Sequence, residues 1–354
     1  MLVINNIPTE YRSQLFRKIA ERVQPFHVVY LSADESVRQK RGAGRDEERF
    51  ATVLRPILQV RNRWTTTSDL IFGRIPLRVL RGHKVVVSFG YGYLSIVSFM
   101  FMARVLGKRT ALFFESTRAD KTRRRLVDLL KSVMIRAIYT SFFVPGELSR
   151  KYLIELGVPP SRVMVAPNGI DIADVPKRVR QRRSHGDPLR VGMVGRLAPE
   201  KRFEWAAEVL LTRTSVTIEI AGEGAGRSTL RSLDGGERLK LLGHLRGEEL
   251  ERFFHEIDVL VLPSTSETWG FVVNEAMARG CPVIVSDRAG SSAVVDQVAG
   301  CVFAAMEAEA LISALHKVEQ NIEGYSMGAL ELSTRMTADA QARIFADALT
   351  SFER

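Results

Sequence analysis

Glu267 and Glu275 stand eight residues apart, on either side of Gly270, in the stretch from Leu262 to Asp287, LPSTSETWGFVVNEAMARGCPVIVSD. When ionised, both carboxylates only accept hydrogen bonds. The chain around them reads as a strand end, a loop, a helix and a second strand. Pro263, Ser264, Thr265 and Ser266 break the apolar run DVLVL at 258–262. Phe271, Val272, Ala276, Met277 and Ala278 then fall on a roughly helical stripe. Gly280 followed by Pro282 is the expected order of stop signals, and Pro282 to Val285 reads as the next strand. A helix that starts near Trp269, Gly270 and Phe271 has first-turn N–H groups without intrahelical partners and a partial positive charge. The unit thus offers backbone donors, one acceptor in the loop and one acceptor two turns along the helix. That set suits a hydroxyl-rich ligand carrying an anionic group.

The phrase P-S-x-x-E-x-W-G-x-x-x-x-E-A-M-A-x-G-x-P-V-I resembles the Glu-x7-Glu motif of the retaining glycosyltransferases of family 4, which have the GT-B fold. The resemblance implies that Glu275 binds the ribose of a nucleotide. It implies that Glu267 and the backbone of the following loop, Trp269, Gly270 and Phe271, hold the donor sugar. Upstream, Gly195-Arg196-Leu197-Ala198-Pro199-Glu200-Lys201 resembles the family's G-R-L-x-x-x-K segment, in which the Arg and Lys bind the donor's diphosphate. Two cations five apart across a strand–helix turn can clamp a pyrophosphate, Arg196 as a planar fork and Lys201 as a point charge. The segment is not a Walker loop, because Gly-Lys-Ser/Thr is missing. Ala221-Gly222-Glu223-Gly224 matches another phrase of the family, and the loop at His244-Leu245 corresponds to one that contacts the base, largely through its backbone.

The resemblance implies transfer of a sugar, with retention, from a nucleotide-diphosphate sugar to a glycan, lipid-linked or other cell-envelope acceptor. The departing phosphate oxygen helps take the acceptor's proton, so no protein nucleophile is required. No cofactor beyond the donor substrate is implied, and no Asp-x-Asp metal motif stands in a suitable place. Two other readings stay open: a GT-B-fold nucleotide-sugar epimerase, and a non-enzymatic basic nucleic-acid-binding protein. The charge favours the latter slightly, but no helix-turn-helix or aromatic RNA-binding motif supports it.

The elements that must position these residues form an α/β pattern of two Rossmann-like, doubly wound parallel-sheet domains facing a cleft. A chain of 354 residues suggests two domains. The expected division is an acceptor-binding domain at 1–171, a linker at 172–188, a nucleotide-sugar-binding domain at 189–333, and a C-terminal helix at 334–354 that crosses back to the first domain. Strands are expected at 2–5, 26–31, 84–89, 110–114 and 139–144, then at 189–194, 216–221 and 239–243. A helix is expected at 10–23, and residues 51–82 show no clean pattern. The turn after the first strand, Asn5-Asn6-Ile7-Pro8, lacks the glycine common in the family. Pro167-Asn168-Gly169-Ile170-Asp171 reads as a turn with Asn-Gly supplying positive φ. Glu115 ends the strand at 110–114, the carboxyl end where ligands lie in doubly wound sheets, and is the acceptor-side candidate in place of the family's His.

Charge is unevenly placed. Residues 1–184 hold 34 Lys and Arg against 15 Asp and Glu, whereas 185–354 hold 17 against 25. The basic half would attract anionic partners such as lipid headgroups. Residues 118–137 read as a basic amphipathic helix whose stripe of Leu126, Leu129, Leu130, Val133 and Met134 packs inward, leaving Lys131 and the arginines for solvent or an anionic membrane. The polar stretch 36–50 reads as a surface loop, and Trp64 as part of an insertion near the cleft. Val85–Leu106 is long and apolar, but Gly90 and Gly92 split it, so a buried strand–turn–helix is expected rather than a span. Met1 leads directly into a strand-like run with no signal-peptide pattern. The two cysteines, Cys281 and Cys301, have neither disulfide nor metal spacing. A cytoplasmic protein, peripheral on the inner face of a membrane, is the expectation.

Overall fold

A computed structural model describes residues 1–31, 50–54, 58–60, 70–72, 75–119, 125–181, 187–233, 236–295 and 297–353. Trp64, most of the loop expected at 36–50 and part of the expected linker lie outside the described residues. The chain forms two compact units: Met1–Ser116, Thr122–Asp171 and Ala338–Arg354 make the first, Thr117–Lys121 and Ile172–Thr337 the second.

In the first unit the strands are β1 (Leu2–Asn5), β2 (His27–Tyr30), β3 (Ala51–Val53), β4 (Leu58–Val60), β5 (Leu70–Phe72), β6 (Val85–Phe89), β7 (Arg109–Phe113), β8 (Ser141–Val144) and β9 (Val163–Val165). Seven of them form a parallel sheet in the order β3-β2-β1-β6-β7-β8-β9. β4 and β5 form a separate antiparallel pair within the region that showed no clean pattern. All five residues of β6 and all four of β1 are buried. A parallel sheet covered on both faces asks for such continuous apolar runs. The helices are α1 (Glu10–Ala20), α2 (Leu94–Val105), α3 (Arg125–Ile138) and α4 (Glu147–Glu155). The apolar stretch 85–106 is thus β6, a turn and α2, and no helix among the described residues is long and apolar enough to cross a membrane.

At the turn after β1, which lacks glycine, the Asn5 side chain accepts from the Asn6 N–H at 3.0 Å and donates to the Ile7 carbonyl at 3.1 Å. The expected inner stripe of α3 is corrected in large part. Leu126, Leu129, Leu130 and Val133 are all more than half exposed, while Met134 packs against the core and Ser132, Ile135 and Ile138 are buried. Lys131 points inward, its ammonium 4.6 Å from the Tyr91 ring centre, 5.0 Å from that of Phe114 and 4.6 Å from that of Tyr152, whose hydroxyl it also bonds at 3.1 Å. Three rings and a hydroxyl compensate the lysine's desolvation. A long cation thereby occupies the inner face that the leucines were expected to fill.

The second unit holds β10 (Arg190–Val194), β11 (Thr217–Ala221), β12 (Leu239–Gly243), β13 (Val259–Leu262), β14 (Val283–Ser286) and β15 (Gly300–Phe303). They form a second parallel sheet, ordered β12-β11-β10-β13-β14-β15. Its helices are α5 (Phe203–Arg213), α6 (Arg227–Ser232), α7 (Glu248–Glu256), α8 (Phe271–Ala278), α9 (Ser292–Val295), α10 (Ala308–Gln320) and α11 (Ile322–Arg335). The chain moves outward from β10 to β11 and β12, then returns to the other side of β10 as β13. That reversal is the switch point at which doubly wound sheets bind ligands. The last helix, α12 (Ala338–Glu353), belongs to the first unit, where Phe345 stacks on Phe143 with ring centres 4.2 Å apart.

Candidate functional site

The loops that follow β10 and β13 leave the second sheet at its switch point, and a backbone bond joins them. The Thr265 N–H donates to the Glu200 carbonyl at 2.8 Å. Across this junction Lys201 Nζ forms an ion pair with Glu267 Oε2, the two side chains only 14% and 16% exposed. The pair is therefore largely withdrawn from water, where a charge–charge contact is screened little. Lys201 also lies against Gly195: a Cβ placed on that glycine would meet Lys201 Cε at 3.7 Å.

Gly195 opens onto a cavity of about 290 Å³ lined by Gly195, Arg196, Gly222, Glu223, His244, Leu245 and Leu250 among others. Five residues expected in the site meet here, brought together from the carboxyl ends of β10, β11 and β12. Glycine is what allows the approach. Gly222 has φ +147°, and a Cβ on it would stand 1.8 Å from the Gly195 carbonyl oxygen. Arg196 pairs with Glu200 at 3.1 Å, and its side chain is half exposed. The exposed His244 ring accepts from Arg246 Nε at 2.8 Å through Nε2.

Gly270, with φ +93°, turns the loop into α8, and a Cβ there would clash with Leu262 Cδ2 at 2.7 Å. Phe271 begins α8 and Glu275 lies half-buried on it. Trp269 is the exception. Its indole is 1% exposed and donates to Asn274 Oδ1 at 2.8 Å, so only its backbone is available to a ligand. Beside this loop stands Ser291, which sequence reading passed over. Its hydroxyl is buried, lacks a hydrogen-bond partner among the described residues, and lies 3.6 Å from the position a Cβ on Gly270 would take. A lone serine carries no spacing signal that could have revealed it.

With that geometry in place, a family model described as Glycosyl transferases group 1 matches residues 188–321. Over that stretch the chain is similar to the group 1 glycosyltransferases. The matched stretch contains Gly195, Arg196, Lys201, Gly222, His244, Leu245, Glu267 and Glu275. Its relatives include the GDP-mannose-dependent alpha-mannosyltransferase of Mycolicibacterium smegmatis, 41% identical over 116 residues, which are 33% of this chain and 29% of that protein. Another is the glycogen synthase of Mycobacterium tuberculosis, 32% identical over 188 residues, 51% of this chain and 45% of that one. The chain thus spans less than half the length of these curated relatives. Solved structures of similar fold include Anabaena Alr3699/HepE in complex with UDP, with a TM-score of 0.75, 14% identity and coverage of 99% and 100% of the two chains. The lipopolysaccharide outer core galactosyltransferase WaaB in its apo form has a TM-score of 0.71, 14% identity and the same coverage. The two parallel-sheet α/β units, the second of which holds the matched stretch, are the GT-B fold.

Glu115 lies in the first unit, in a network that ties distant segments together. Arg12 Nη2 contacts its Oε2 at 2.7 Å, and Asn168 Nδ2 donates to its Oε1 at 3.1 Å. Arg12 lies over the Phe89 and Phe113 rings at 4.9 and 4.6 Å. Gln341 of α12 donates to Asn168 Oδ1 at 3.2 Å. Neither Asn168 nor Gly169 adopts the positive φ expected of that turn; Asn168 is fully buried and acts as a hub for side-chain hydrogen bonds. Both oxygens of Glu115 are engaged, and its side chain is 36% exposed. Arg12 and Gln341 were missed because their partners lie 156 and 173 residues away. Among the described residues no cluster of three or more His, Cys, Asp and Glu side chains could hold a metal ion.

Proposed function

We propose that this protein is a retaining glycosyltransferase that moves a sugar from a nucleotide-diphosphate sugar to a glycan, lipid-linked or other cell-envelope acceptor, without a metal. The observation that carries the reading is the largely buried Lys201–Glu267 pair, which joins the loops after β10 and β13 beside the glycine-lined cavity. In this reading the cavity takes the base against Gly222, His244 and Leu245, and Glu275 takes the ribose hydroxyls. Arg196 and Lys201 hold the diphosphate. They act where charge develops as the sugar–phosphate bond breaks, and donors already in position stabilise that charge most. Glu267 and the backbone at Gly270 and Phe271 hold the sugar. The departing phosphate oxygen takes the acceptor's proton on the face that the phosphate leaves, so configuration is retained and no protein nucleophile is used.

Support comes from the group 1 match and from the names of similar proteins, which include a mannosyltransferase and a structure in complex with UDP. A thermal-shift screen against nucleotide sugars should identify the donor. Calorimetry should then show Arg196→Ala and Glu275→Ala weakening it about 10- to 100-fold, the worth of a hydrogen bond to a charged group. Unchanged donor binding in both variants removes the site assignment. Conversion of donor alone to an epimer points to an epimerase instead, and steep salt-dependent binding to duplex without donor binding points to a nucleic-acid protein. The anomeric configuration of the product, read by NMR, tests retention.

A further inference from the structure

The outward faces of α2 and α3 are apolar, although both helices also bury an inner face in the same core. Phe101 and Val105 on α2 and Leu106 directly after it are 51%, 62% and 53% exposed; on α3, Leu126, Leu130 and Val133 are 67%, 63% and 54% exposed. The two helices pack against each other. Scattered surface leucines are ordinary, but neighbouring helices that both turn apolar rows to solvent mark an interaction surface. The rows follow helical spacing: Phe101 and Val105 are four apart, as are Leu126 and Leu130. The inner face of α3 is meanwhile completed by Lys131, so no simple rotation would bury the leucines without exposing that cation's aromatic contacts.

Charge identifies the occupant. α2 contains no acidic residue, and the single acidic residue of α3, Asp128, accepts a hydrogen bond from the Tyr152 hydroxyl at 3.0 Å. Arg104 and Arg136 are exposed on the same helices, and exposed Arg109 follows α2. Apolar rows edged by cations match the boundary of an anionic bilayer: the acyl region takes the side chains and the headgroups take the arginines. A second copy docked symmetrically through this face would bring the same arginines together, and like charges oppose that contact.

We propose that the α2–α3 face is a membrane-docking surface. It inserts Phe101, Val105, Leu126, Leu130 and Val133 shallowly into an anionic lipid leaflet, without a membrane-spanning segment. The surface stands apart from the reading of the donor site, which vesicle binding does not require. The test is cosedimentation of the full chain with vesicles of phosphatidylcholine alone or with about 30% phosphatidylglycerol, at about 0.15 M salt, where charge is screened beyond ~8 Å. Anionic vesicles should bind roughly tenfold more tightly than neutral ones, near the surface-charge contribution of one or two arginines. Val105→Gln with Leu130→Gln should cut binding about tenfold or more, whereas Arg104→Glu with Arg136→Glu should abolish the preference for anionic lipid. The replaced side chains are exposed, so an unchanged melting temperature controls for folding. Independently, Leu130→Trp should shift its emission to the blue when anionic vesicles are added. Absence of vesicle binding, binding indifferent to Val105→Gln and Leu130→Gln, or a dimer in light scattering that those changes dissolve would each overturn the proposal.

Discussion

Replacing Lys201 by Met should destabilise the second unit more than the loss of one surface ion pair would. Both members of the Lys201–Glu267 pair are about five-sixths buried, with side-chain exposures of 14% and 16%. Breaking a fully buried pair from one side costs about 3–5 kcal/mol, because a charge is left without a partner. An exposed pair contributes about 0–1 kcal/mol. For this degree of burial, Lys201→Met and Glu267→Gln should each cost about 2–3 kcal/mol. A unit of this size moves by roughly 2–4 °C per kcal/mol, so each variant should melt about 5–10 °C lower. The double variant removes both charges and leaves no orphan. It should cost only about 1–2 kcal/mol, giving a coupling of about 2–5 kcal/mol. Differential scanning calorimetry without donor reads all four proteins of the cycle. Strictly additive losses in the double variant would refute the claim that the two loops are joined by a desolvated charge pair.

Two further perturbations read other parts of the molecule. Gly222→Ala forces a methyl group onto the Gly195 carbonyl in a left-handed backbone, and should cost about 1–3 kcal/mol by overpacking, visible as a lower urea midpoint together with weaker donor binding; an unchanged midpoint would show that β10 and β11 do not pinch together there. His83 has its pKa lowered to about 4, first by burial and then by nearby positive groups, including His27 and Lys108. Between about 4 and the ordinary 6.5 the unfolded chain binds more protons at this site, so His83 contributes stability above pH 6.5 that is lost as pH falls towards 4. The rise in melting temperature from pH 5 to pH 7 should therefore be smaller in His83→Gln, and an identical rise would contradict the assignment.

Much of the second unit was legible because its signals are local. DVLVL, VIVS and the runs before Gly195 and Gly222 are short apolar strands closed by polar, proline or glycine breaks, and β13, β14, β10 and β11 stand where those runs stand. Buried parallel strands need near-continuous apolar sequence, and their ends need residues that tolerate close backbone approach. The stop signals around Gly280 likewise predicted the end of α8. The first unit was harder to read. α3 has a leucine stripe that local logic assigns to the core, but which face of an amphipathic helix is buried depends on what the neighbouring elements offer. Here they offer Tyr91, Phe114 and Tyr152, and a cation takes that position. Trp269 shows the same limit: its place in the loop before α8 is evident from the sequence, while the removal of its indole into the core, bonded to Asn274, is not.

Glu267, Glu275, Arg196 and Lys201 could be picked out from residue type, spacing and the family resemblance of the phrases around them, since an acceptor, a cation and a helix start keep their character in any fold. That Lys201 closes onto Glu267, that Gly222 presses on Gly195, and that Glu115 is tied to Arg12 and Asn168 rather than left open, needed the folded chain. Each of those contacts joins segments far apart in the chain, and the strand order and helix packing that bring them together are carried by no local pattern.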